Sequence, residues 1–296
     1  NDVATSGARV RYLSCGFILE EGFPLDDLRR ICQSMAETAR EAGVAIITGD
    51  TKVVNHGSAD GVYINTAGVG EVPEGSSLSG AVCQPGDVVL VSGTLGDHGI
   101  AVMSQREGLA FSTTIESDAA PLNHLIAAVL DAAPHVRCFR DPTRGGLAST
   151  LNEFAAASNV EIEVDEEAIP VKPEVQAACE MLGYDPLQVA NEGKIVAVVP
   201  ADEAATALEA MRANRWPCVR HHRPRARCRR ERPARARSYP LGINADSRHA
   251  RRRTTAAHLL TAGAGAVVVA SGENLTPAPA PHWRAAFGHL PSMPSA

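Results

Sequence analysis

VVLVSGTLGDHGIAVMSQREG, residues Val88–Gly108, is the stretch from which the rest of the chain can be placed. Its first four residues are apolar in succession, with no polar alternation, so they read as a strand buried on both faces. GDHG then supplies a turn, and the residues up to Gly108 read as a helix. Upstream, PEGSS (Pro73–Ser77) and QPGD (Gln84–Asp87) are turn signals that mark a domain boundary. Before that boundary, RVRYLSCGFIL (Arg9–Leu19) and GVYINTAGVG (Gly61–Gly70) read as strands, and VAIIT (Val44–Thr48) as a strand ending in GDTK. Between them Leu25, Leu28, Ile31, Met35 and Ala39 recur at helical spacing and Gly43 is a stop signal. Downstream, helical patterns at Pro121–Ala133, Pro173–Gly183 and Ala201–Asn214, and Pro142–Ser158, which begins as a Gly-rich loop and becomes a helix, alternate with strand patterns at Val136–Asp141, Val160–Glu166 and Lys194–Pro200. Strands alternating with helices predict an α/β or α+β layered fold.

The chain has 296 residues, enough to bury one large core or two smaller ones. Its seven cysteines form no CxxC pair and no Cys/His spacing suited to zinc, which points to reduced thiols in a cytoplasmic protein. Cys15, Cys32 and Cys179 fall in strand or helix patterns and are expected in the core. No signal peptide is evident, and Thr261–Gly272, the nearest candidate for a membrane span, is too short. Residues 1–214 carry 13 Lys and Arg against 31 Asp and Glu; residues 215–296 carry 15 Arg, no Lys and 3 acids. Such a basic end would attract nucleic acid nonspecifically through charge alone. An evolved basic arm usually mixes Lys with Arg.

Three glycine-flanked acidic turns could carry chemistry: GDTK (Asp50, Lys52), GDHG (Asp97, His98) and RDPTRGG (Asp141, Arg144). Carboxylates on such turns suit Mg²⁺ shared with nucleotide phosphates, and a lysine beside one can offset phosphate charge. Amides of the Gly145-Gly146 turn entering a helix form an anion site. Asp-Gly also simply makes turns, and any one of these motifs alone is weak. Glu192, in NEGK before a strand, is either a general acid/base or the start of that strand. His98 reads as a turn residue, and His56 and His124 have no supporting context.

NDVATSGA, YLSCGFILEEG, GDTKVV, INTAGVG, VSGTLGDHG, DPTRGGLA, NEFAAAS and ANEGK occur in this order over residues 1–214. Together they closely resemble the HypE family of hydrogenase maturation proteins, within the aminoimidazole-ribonucleotide-synthetase-like ATP-binding superfamily. The resemblance implies a two-domain α/β fold, an ATP-Mg²⁺ site and a homodimer paired through the N-terminal domains. It implies a carbamoyl dehydratase, which accepts a carbamoyl group from HypF on a C-terminal cysteine. ATP drives dehydration of that S-carboxamide to an S-cyanide, passed on to iron on a HypC–HypD complex. Carried onto this sequence, Lys52 and Glu192 are the catalytic candidates and Asp2 and Asp50 the metal candidates. Asp2, Asp50, Asp97, Asp141, Arg144, Gly145 and Gly146 are the nucleotide-site candidates. GDTKVV and DPTRGGLA argue against a selenophosphate-synthetase-like member. A nucleic-acid binder and an inactive dimerisation partner are the readings from other classes.

On this basis residues 1–80 are expected to form a partial N-terminal domain, 86–214 an incomplete C-terminal α/β domain, and 215–296 an irregular tail. The opening at Asn1 suggests that upstream strands of the family are missing. The family ends in Pro-Arg-Ile-Cys, whereas this chain ends in PSMPSA. Shifted one base, codons permitted for Arg220–Pro224 yield Ala-Ile-Ile-Gly, a family segment. Those permitted for Ser247–Thr261 yield a run ending Pro-Arg-Ile-Cys and a stop. Residues from about Arg215 are therefore expected to be out-of-frame, with the carrier cysteine lost and the cyanylation cycle blocked.

Overall fold

A computed structural model describes residues 1–108, 115–214, 239–240 and 267–269. A short helix, α1 (Asp2–Thr5), opens the chain. Strand β1 (Arg9–Glu20), helix α2 (Leu25–Ala42), strand β2 (Ala45–Val54) and strand β3 (Val62–Glu71) follow. Gly43 ends α2 in the left-handed conformation that the helix stop requires, with φ 68°. The three strands form one sheet in the order β2-β1-β3, with β1 parallel to β2 and antiparallel to β3.

β2 is longer than the sequence pattern predicts. Its pairing with β1 runs on through Gly49–Val54, so Asp50 and Lys52 lie within a strand, not at a turn beyond its end. Gly49 makes this possible: a β-carbon there would sit 2.1 Å from the carbonyl oxygen of Cys15. A glycine-aspartate pair that reads as a turn is here a point of close backbone approach.

The second half is built on β4 (Val88–Val91), whose four residues are all buried. It pairs antiparallel with β7 (Val196–Val199), which pairs with β5 (Cys138–Arg140). Two hydrophobic clusters take alternate residues of these strands. Val88, Leu90, Ala197 and Val199 face α4 (Asn123–Ala132) and α7 (Ala204–Ala213). Val89, Val91, Val196 and Val198 face α5 (Gly146–Ser158). Helices on both faces explain why these strands read as unbroken apolar runs. A third cluster joins α3 (Asp97–Arg106) to α6 (Pro173–Leu182) through Ile100, Val175 and Cys179.

Three further expectations change. The 160–166 strand is reduced to β6 (Glu163–Val164). Beyond Asn214 two short strands occur where no regular element was expected: β8 (Tyr239–Pro240), paired with β6, and β9 (Val267–Val269), paired with β4. The rest of the 215–296 stretch lies outside the described residues. Cys32, expected in the core, is exposed, whereas Cys15 and Cys179 are buried. The reason is layering: α2 buries none of its residues, because nothing among the described residues covers its outer side.

Candidate active site

α1 is the keystone between the two halves, contacting β1, β3, α4 and β5. Val3 fits under β3 because Gly68 and Gly70 leave room; a β-carbon at Gly68 would stand 2.7 Å from its side chain. This packing sets Asp2, at the start of α1, beside the exit of β5 into Asp141. Burial pushes the Asp141 carboxyl above the ordinary aspartate range, and the neighbouring Asp2 carboxylate pushes it further.

Glu192 is held against the same junction from its backbone. The Asn1 side-chain amide donates to the carbonyls of Glu192 at 3.2 Å and Ala120 at 3.1 Å, and its oxygen accepts from Leu122 N–H at 2.9 Å. Asp118, with its side chain almost wholly buried, accepts from the amides of Glu192 (3.2 Å) and Gly193 (3.4 Å) and pairs with Lys194 Nζ at 3.3 Å. Asn191, fully buried, reaches across to Pro142 and accepts the Gly96 amide at 2.8 Å. Four loops therefore converge: residues 93–97, 118–122, 141–146 and 190–194. The roles of Asp118 and Asn191 are not visible in the sequence, although Asn191 lies within the ANEGK motif.

The other candidates fall in different places. Arg144 and Gly145 are exposed at the entry of α5. Gly146 is buried, its amide donates to the Thr143 carbonyl, and a β-carbon there would lie 2.4 Å from the Leu187 carbonyl oxygen. In this arrangement Gly146 allows close packing, not an open amide. Asp97 begins α3 and is buried; it accepts from Thr94 Oγ1 at 2.6 Å and pairs with Lys172 Nζ at 3.1 Å. That pair ties α3 to the start of α6.

Asp50 and Lys52 stand two residues apart on one face of the first sheet, in register with Gly16 and Ile18 of β1 and Asn65 and Tyr63 of β3. Gly16 leaves a gap in that face, and an open cleft of about 400 Å³ lies over it, lined by Asp50, Lys52, Tyr63 and Asn65 among others. His56 Nδ1 lies 3.1 Å from the Glu20 carboxylate, and His98 shares a hydrogen bond with Ser117 at 2.8 Å.

Among the described residues, no three His, Cys, Asp or Glu side chains gather closely enough to hold a metal alone. Asp2 and Asp141 nevertheless fit a cation that fills its shell with phosphate oxygens and water. Mg²⁺ takes only one or two carboxylates in such sites, and the repulsion at Asp141 is what a cation would relieve.

The two halves define the class of protein. Residues 1–72 match the N-terminal domain, and residues 84–220 the C-terminal domain, of the AIR synthase related protein family. Within that class, the chain is 60% identical over 214 residues to the carbamoyl dehydratase HypE of Azotobacter vinelandii, covering 72% of this chain and 63% of that one. A crystal structure of a HypE–HypF complex superposes with a TM-score of 0.71 at 52% identity, covering 73% of this chain and 70% of that one. HypE solved in complex with ATP gives 0.70 at 50% identity, over 72% and 63%. A thiamine-monophosphate kinase from Stenotrophomonas maltophilia, 24% identical with a TM-score of 0.59, shares the fold alone. The chain belongs to the HypE family. It spans less than two thirds of the length of the curated relative from Azotobacter vinelandii. No helix among the described residues is long and apolar enough to cross a membrane.

Proposed function

We propose that this chain provides the body of an ATP-dependent carbamoyl dehydratase, turning a cysteine-borne S-carboxamide into an S-cyanide for the iron of NiFe-hydrogenase. The observation that carries the proposal is the junction where α1, bearing Asp2, packs on β5 just ahead of Asp141, beside the loop bearing Glu192. An amide oxygen is a poor leaving group, so dehydration requires an activated oxygen and a base for the amide proton. ATP supplies the activation, as a phosphoryl group that leaves with that oxygen.

Asp2 and Asp141 are positioned to hold Mg²⁺ bound to the nucleotide. Asp50 and Lys52 lie apart from them, in the cleft on the open face of the first sheet, and are the candidates there for a further metal ligand and for offsetting phosphoryl charge. Glu192, its backbone fixed by Asn1 and Asp118, takes the carboxamide N–H proton. Arg144 and Gly145, exposed at the head of α5, offer a guanidinium and an amide to phosphate oxygens.

HypF fits as the carbamoyl donor partner, and the HypC–HypD complex as the acceptor of cyanide. Self-association fits the first sheet, whose open face leaves Tyr12, Ile18, Tyr63 and Val69 between 43% and 66% exposed. The test is calorimetric titration of the full chain with ATP, with and without Mg²⁺. Binding that requires Mg²⁺ is expected; no binding, or binding indifferent to the cation, overturns the proposal.

A further inference from the structure

Cys83 and Cys138 come from opposite sides of the second half of the chain, yet their sulfurs lie 3.9 Å apart. Cys83 belongs to the segment that leads from the first sheet into β4; Cys138 opens β5. Both are buried free thiols in the cluster between the central sheet and α5. The segment carrying Cys83 is fixed in three ways. Its amide donates to Ser158 Oγ at 3.0 Å, and Ser158 in turn donates to the Gly80 carbonyl at 2.8 Å. Ser79 N–H donates to the Arg137 carbonyl at 2.9 Å, beside Cys138. The two thiols are thus held by backbone contacts on both sides and do not meet by chance rotation alone. None of the proposed catalytic steps uses either of them.

We propose that Cys83 and Cys138 are a redox-active dithiol, oxidised to a disulfide by a small hydroperoxide. Attack by the Cys83 thiolate on the peroxide forms an S–O bond and breaks the O–O bond, releasing hydroxide and leaving a sulfenic acid. Cys138 sulfur then attacks Cys83 sulfur; the S–S bond forms and the S–O bond breaks. The proton of Cys138 goes to the departing oxygen and the proton given up by Cys83 to the released hydroxide, so two thiols and one hydrogen peroxide give one disulfide and two waters.

The electrostatics favour Cys83 as the attacking sulfur. The hydrogen bond from Cys138 lowers the Cys83 thiol to about 7, against the opposing effects of burial and of Asp87. That same bond, with burial, raises Cys138. A thiol with a value near neutrality is a substantial fraction thiolate while remaining a good nucleophile. Cys83 is 5% and Cys138 3% exposed, which disfavours a bulky oxidant. The bridge would join the segment before β4 to β5, the strand that leads into Asp141.

The experiment exposes the reduced full chain to hydrogen peroxide, alkylates remaining free thiols and maps the peptides by mass spectrometry. A cross-linked pair of peptides containing Cys83 and Cys138, 2 Da lighter than the two reduced peptides and restored by a thiol reductant, is the expected result. Its yield should rise with pH, as the attacking thiol ionises. In Cys138→Ser, peroxide should instead carry Cys83 to sulfinic acid. Recovery of both residues as alkylated thiols, or cross-links of Cys83 or Cys138 only to other cysteines, overturns the proposal. The unmutated chain decides the matter even if the variant does not fold.

Discussion

Asp141 is half-buried at the end of β5, and the Asp2 carboxylate acts on it across the junction of the two halves. Its carboxyl is raised in the folded state, so its stabilising contribution is complete below about pH 4, the unfolded value. That contribution is lost as pH rises through the higher folded value. At neutral pH the charged side chain therefore burdens the fold. Asp141→Asn should melt at the same temperature as the parent or higher at pH 7, by calorimetry, while Mg²⁺-dependent ATP affinity falls about tenfold or more, the loss of one charge-assisted contact. Glu20 has the opposite sign. The amides of Gly57 and Gly61 donate to it and hold it below the usual carboxylate range, with His56 adding to the effect. Its contribution is present above the unfolded glutamate value and lost as pH falls through the lower folded one. Glu20→Gln should therefore destabilise the chain at pH 7 and lose that effect near pH 3, as thermal melts across that range would show.

At the scale of elements, the segment between the two sheets is joined to β5 by a buried ion pair. Asp87 accepts from Arg137 Nε at 3.0 Å and Nη2 at 3.3 Å, and from the Gln84 amide at 2.7 Å. Only 4% of the Asp87 side chain is exposed. Asp87→Ala leaves the guanidinium and the amide without that acceptor, and should cost about 3 kcal/mol, which is about 6–12 °C in melting temperature. The QPGD turn holding Asp87 was legible in the sequence, as were β4 and β7, because helices on both faces demand unbroken apolar strands. The full length of β2 was not: Gly49-Asp50 has a turn signature, and only the pairing of β2 with β1 shows that Gly49 serves close approach. Cys32 followed helical spacing onto an apolar stripe, but spacing does not reveal whether a second layer covers the stripe. At the junction, Asp2, Asp141 and Glu192 stood out through their motifs. Asp118 and Asn191 did not, since their work is done across 74 and 95 residues of intervening chain, a purely tertiary relation.

For the whole molecule, the break falls near Arg215. The match to the family's C-terminal domain ends at residue 220, and the Azotobacter vinelandii relative aligns over 214 residues. Beyond Asn214 lysine disappears and fifteen arginines accumulate. A one-base shift would account for that composition. An arginine written CGN, read one base later, becomes a codon beginning with G, which encodes Val, Ala, Asp, Glu or Gly. Those are the residues that dominate the first 214 positions, so restoring the frame would remove the cationic stretch and return an acidic, Ala- and Val-rich sequence. In the shifted frame the protein fixes the outer two bases of each codon, while the middle base is the third base of the original codon, taken among its synonyms to give Ala-Ile-Ile-Gly and Pro-Arg-Ile-Cys. Sequencing the gene across the codons for Asn214–Arg223 should reveal a single inserted or deleted base relative to an open frame on either side. Codons that run without interruption, with third bases incompatible with those two segments, would refute the shift and leave the arginines as a genuine basic extension.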